Sequence, residues 1–121
     1  MEGPRVVPIV LIPRFTTFAG ANVEYRTHAI AVTEYESIEV FVWRGDLADA
    51  GWSVTFAVEE SMDQENWTTV ISASPSAKSE QRTWGTLTKS YIRAWMSVAA
   101  SGGDFPVVTA YAVGNLIRRK G

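Results

Sequence analysis

His28 is the single imidazole of the chain, set between Arg26-Thr27 and Ala29. Triad or acid–base chemistry needs that ring beside a serine and a carboxylate, and no local pattern supplies the geometry. There is no Gly-x-Ser-x-Gly elbow, no Gly-x-x-x-x-Gly-Lys phosphate loop and no paired-glycine fingerprint. Cysteine is absent, which excludes a thiolate nucleophile, a thiolate metal site and a disulfide. These residues predict no enzyme and imply no cofactor.

Three other groupings carry possible chemistry. Glu59, Glu60, Asp63 and Glu65 crowd one turn, where a calcium ion would want several oxygens at regular loop spacing. That spacing is missing, so Ser61 and Asp63 are expected to fold back on the turn's backbone while Glu59 and Glu60 face water. Arg44-Gly45-Asp46 spells a tripeptide that adhesion ligands present to integrins, yet glycine and aspartate are also what a hairpin turn demands. The turn reading is preferred. Five tryptophans are the third grouping. An indole can stack on a pyranose, fill a core or anchor a subunit contact. Trp52, Trp67 and Trp95 run in phase with other bulky residues and are expected in the core; Trp43 and Trp84 fall opposite the core phase or near loops and are the exposed candidates.

The elements that must position these residues read as strands. Ile38, Val40 and Val42 alternate with Glu39, Phe41 and Trp43; Trp52, Val54, Phe56 and Val58 alternate with Ser53, Thr55, Ala57 and Glu59. Alternation of this length, bounded by Gly, Asp, Asn and Ser, marks half-buried antiparallel strands, here drawn as two successive hairpins reaching Val70. Residues 23–33 alternate imperfectly. Residues 72–82 are small and polar with a proline, and are expected as a long exposed loop. Residues 83–87 give a short strand, 90–99 a stronger one with Ile92, Ala94, Met96 and Val98 on one side, and 105–113 the last, with Pro106 at its start. Ser101-Gly102-Gly103-Asp104 is a turn, and Arg118-Arg119-Lys120 a short basic end expected to be solvated. No helical period is sustained. The expectation is an all-β fold, an antiparallel β-sandwich or jelly roll of about seven or eight strands, with a flattened barrel as rival.

A length of 121 residues suits one domain. Its 46% hydrophobic and 20% charged residues suit a packed core, and a formal charge of −2 gives no attraction to phosphate backbones, so nucleic acid is not expected as a partner. Residues 1–18 carry Pro4, Pro8 and Pro13, which disfavour a central strand and leave an extended arm or an edge strand; residues 19–121 are the sandwich. The apolar run from Val6 to Ile12 is too short to span a bilayer, so no membrane is expected. As an arm it leaves Ile9, Val10, Leu11 and Ile12 seeking cover on another subunit.

The run Val58-Glu59-Glu60-Ser61-Met62-Asp63-Gln64-Glu65-Asn66-Trp67, with the later Ser90-Tyr91-Ile92-Arg93-Ala94, resembles small β-sandwich proteins of tailed-phage particles. In those proteins a strand ends in Ser-x-Asp, turns and resumes at Trp, and a later strand carries Tyr-x-Arg. The resemblance covers about forty residues, and Gln64 stands where glycine is common. It implies a virion component such as a decoration, minor capsid or connector protein, meeting copies of itself or other virion proteins. The interface candidates are then Ile9, Val10, Leu11, Ile12, Trp43, Arg44 and Trp84. A carbohydrate-binding module using Trp43 and Trp84 is the alternative.

Overall fold

The structure is a computed structural model that describes residues 5–20, 22–47, 51–75, 79–100 and 105–119. The Ser101–Asp104 turn and Lys120 lie outside the described residues. Nine strands are present among the described residues: β1 (Val6–Ala19), β2 (Val23–Arg26), β3 (Ile30–Ala31), β4 (Tyr35–Arg44), β5 (Ser53–Ser61), β6 (Thr68–Ala73), β7 (Gln81–Thr86), β8 (Tyr91–Ala99) and β9 (Val107–Arg118). They build two antiparallel sheets, one ordered β1-β9-β4-β7, the other β2-β8-β5-β6 with β3 also on β8. β2 and β3 pair with successive stretches of β8, so they act as one interrupted strand. Counted that way, the fold is a β-sandwich of two four-stranded layers with jelly-roll connectivity.

The alternation read from sequence sets the core. Ile38, Val40, Val42, Val54, Phe56, Val58, Ile92, Ala94, Met96 and Val98 are all buried between the sheets. Aliphatic side chains, Met96 and the phenyl rings of Phe18 and Phe56 fill the gap, and the tryptophans do not. Trp52, Trp67 and Trp95, expected in the core, are each half-buried. Trp95 alternates with Ala94 and Met96 and therefore points away from the other sheet; Trp67 carries the Arg93 guanidinium 4.2 Å above its ring. An indole is wide for a sandwich interior about 10 Å across, and bulk alone misassigned its face.

The expected hairpin between β4 and β5 is instead a crossover. β4 pairs with β7 and β9, β5 with β6 and β8, so the two strands lie in different sheets. Alternation cannot distinguish the two, because both strands present an apolar face to the same core. The long polar loop is also shorter than expected: β6 runs to Ala73 and β7 begins at Gln81. The last strand is longer and continues through Gly114 to Arg118. A Cβ on Gly114 would collide with the backbone carbonyl of Glu39 on β4, so only glycine lets the two strands approach.

β1 is an edge strand of the protein's own sheet, not a detached arm. Val10 lies opposite Val113 and Thr16 opposite Ala110, so six steps along β1 match three along β9. This bulge breaks the alternation and buries the adjacent Leu11 and Ile12 together, at 2% and 0% exposure. Those two residues, expected as contact residues, belong to the core. Phe15, inside the bulge, has φ of 60°. The Thr16 hydroxyl closes the loop by donating to the Pro13 carbonyl at 2.6 Å.

Candidate functional site

The outward side of the β1-β9-β4-β7 sheet reads as cross-strand rows. One row is Val10, Val113, Phe41 and Arg82; the next is Pro8, Asn115, Glu39 and Trp84; a third is Val6, Ile117, Ser37 and Thr86. Beyond the first lies Tyr111 opposite Trp43. Val6, Val10, Phe15 and Trp84 are exposed, the last three by 61%, 65% and 62%. Exposed aliphatic and aromatic side chains gathered on one face are the kind of patch that marks a contact surface.

An aromatic cluster forms one end of this face. Trp43 stacks on Tyr111 with centroids 5.4 Å apart, and Phe15 meets both edge-on at 5.8 and 6.0 Å. Arg14 lies 4.5 Å over the Tyr111 ring, and the Tyr111 hydroxyl donates to the Glu80 carboxylate. Burial, reinforced by that hydrogen bond, raises the Tyr111 pKa above its ordinary value. The bulge is what delivers Phe15 to the cluster, and sequence reading did not single out Phe15, Arg14 or Tyr111. Beside the cluster a shallow groove of about 350 Å³ runs between Pro8, Val10, Arg14, Phe41, Val113 and Asn115.

A polar network divides the face. Glu39 accepts from Asn115 at 3.0 Å and from Arg82 at 2.7 Å, and these two bonds hold its carboxyl below the usual range. The apolar groove lies on the β1 side. On the β7 side an open cleft of about 560 Å³ has Trp84 in its wall.

The outward face of the second sheet has another character. Glu59 accepts from Arg93 at 2.8 Å and lies 3.7 Å from Arg26, which pairs with Glu24 at 2.6 Å. The Arg26–Glu24 pair is exposed and contributes little stability, whereas Glu59 and Arg93 are half-buried, with Arg93 also lying over the Trp67 ring.

The remaining candidates fall elsewhere. Arg44 is half-buried at the end of β4, where its Nε donates to the Pro75 carbonyl at 2.7 Å and its Nη1 to the Gly45 carbonyl at 3.1 Å. The Arg-Gly-Asp tripeptide is thus tied into a strand end, its arginine turned toward the β6–β7 connection. Ile9 is half-buried and packs against the core. Asp63 behaves as expected: its Oδ1 accepts from the Glu65 and Asn66 backbone N–H groups at 2.9 and 2.8 Å, and these bonds lower its pKa. Glu60 does not face water. It is buried, and accepts from the Thr88 and Lys89 N–H groups and the Thr88 hydroxyl, pinning the connection between β7 and β8. His28 is exposed in the break between β2 and β3, where the Thr27 hydroxyl accepts from the Ala94 N–H.

No family model matches the chain and no curated protein matches its sequence. Solved structures do match its fold. The PBSX exported protein XepA superposes with a TM-score of 0.63 at 18% identity, over 95% of this chain and 38% of that one. The VP2 subviral particle of infectious bursal disease virus gives 0.60 at 16% identity, over 94% of this chain and 33% of that one. The T13 particle of the same virus gives 0.59 at 13% identity, over 95% and 32%. The chain therefore spans between about a third and two-fifths of those proteins, and the likeness is one of fold.

Proposed function

We propose that this chain is a non-enzymatic structural protein of a virion or virion-like particle, working through protein–protein contact, and that its contact surface is the β1 side of the first sheet's outward face. The observation that carries this reading is the contrast between the two outward faces. One bears Val6, Val10 and Phe15 exposed around an aromatic cluster, the other bears paired arginines and glutamates beside Trp67 and Trp95, which are half-buried rather than exposed. A face of the first kind gains from being covered, and one of the second kind does not. The fold's likeness to capsid and phage-related jelly rolls supports the same reading.

The contact is face to face rather than edge to edge. The Arg118 N–H donates to the Arg5 carbonyl, so the next residues of β1 direct their polar groups alternately toward β9 and outward. Pro8 falls on the outward phase, and its missing N–H denies a donor to any strand added there. The first partner expected is a second copy of the chain. Light scattering over a concentration series should give multiples of 13.3 kDa. Val10→Asp should return the mass to that of one chain with an unchanged circular dichroism spectrum. A wild type that stays at one-chain mass throughout contradicts the proposal.

A further inference from the structure

The cleft on the β7 side is chemically distinct from the groove on the β1 side. Its wall is the indole of Trp84, exposed by 62%, and it is lined also by Glu36, Ser37, Thr86, Thr88 and Arg119, around a volume of about 560 Å³. Ser37 and Thr86 are cross-strand partners, and Trp84 precedes Thr86 by two residues, so all three share the outward side. The polar rim is held in place from behind. The Thr88 hydroxyl donates to buried Glu60, which leaves its oxygen to accept. The Leu87 N–H donates to the Glu36 carbonyl at 2.8 Å, and Arg5 reaches the Glu36 carboxylate at 3.3 Å. Arg119 is fixed by its Nε donating to the Thr33 carbonyl and its backbone N–H to the Glu34 carbonyl.

We propose that this cleft is a saccharide-binding subsite, in which a neutral pyranose lies against Trp84 and its hydroxyls meet Ser37, Thr86, Thr88, Glu36 and Arg119. A pyranose needs a flat apolar wall for its C–H face and, around its rim, groups that both donate and accept. Hydroxyls supply both roles, the carboxylate accepts and the guanidinium donates. Three hydroxyls outnumber the one guanidinium and the Arg5-paired carboxylate on this rim, which favours a neutral, hydroxyl-rich ring over a sugar acid. The volume lies within the range of small-molecule sites. Trp43 takes no part: one face of its ring is stacked on Tyr111, and it sits about 13 Å further along the strand direction at roughly 3.3 Å per residue. A paired-tryptophan platform is thereby replaced by a single indole with a polar rim.

The test is an array of immobilised neutral and acidic oligosaccharides, with each signal re-measured in solution by titrating the Trp84 indole N–H resonance, assigned through its loss in Trp84→Ala. The expected result is a neutral glycan that shifts this resonance, with affinity reduced at least tenfold in Trp84→Ala and several-fold in Thr86→Val, both melting as the wild type does. Light-scattering mass should be unchanged in both variants, which separates this site from the assembly surface. No glycan bound by the wild type, binding that survives Trp84→Ala, or binding confined to acidic sugars overturns the proposal.

Discussion

Phe15 shows how much one residue can depend on its neighbours. A φ of 60° is costly for an aromatic side chain, on the order of 1–2 kcal/mol, and glycine would remove that cost. Phe15→Gly should therefore keep stability within about 1 kcal/mol of the wild type, the lost ring contacts and glycine's extra unfolded entropy offsetting the relief. Self-association should fall sharply, and urea melts beside light scattering read the two effects separately. Gln64, with φ of 63° and few contacts to lose on its exposed turn, makes the opposite case. Gln64→Gly should raise stability by up to about 1 kcal/mol. Asp63 in the same turn has a folded pKa below its unfolded value of about 3.9. Its contribution is therefore present above the unfolded value and lost as pH falls through the folded one. In urea melts, Asp63→Asn should be less stable than the wild type at neutral pH, and the gap should narrow progressively below about pH 4. The Ser61-Asp63 turn was legible because short polar side chains bond to the backbone locally; the burial of Glu60 was not, because its partners Thr88 and Lys89 lie 28 and 29 residues away.

At the scale of elements, β1 joins core and surface within adjacent residues. Leu11 is buried and Val10 exposed, so Leu11→Ala should cost about 2–5 kcal/mol while Val10→Asp should cost no more than about 1 kcal/mol. Thermal melts of the two variants check that order; near-equal losses would mean that β1 is not seated as described. Gly114→Ala should destabilise by about 3 kcal/mol or more, because its Cβ would meet the Glu39 backbone. The prolines narrowed residues 1–18 to an arm or an edge, and among the described residues β1 lies at the sheet edge. Which of these it is, and where the bulge falls, is decided by pairing with β9, about a hundred residues further along the chain. The same reason hid the β4–β5 crossover and the broken strand around His28.

Seen whole, the molecule is a sandwich with one outward face that gathers exposed apolar side chains and one that carries arginine–glutamate pairs, and the alternation of ten inward residues made the sandwich readable before its topology was. The site was less readable. Trp84 stood out by its phase, whereas the Phe15, Trp43 and Tyr111 cluster joins residues from three strands that sequence order does not bring near one another. The central claim is that the β1 side of the first sheet's outward face is covered by another copy. Because the chain has no cysteine, Val10→Cys and His28→Cys each carry a single thiol, one on that face and one in the exposed break between β2 and β3. Maleimide labelling rates should fall at least tenfold for Val10→Cys as protein concentration rises and stay constant for His28→Cys; a Val10→Cys rate that does not depend on concentration contradicts the account.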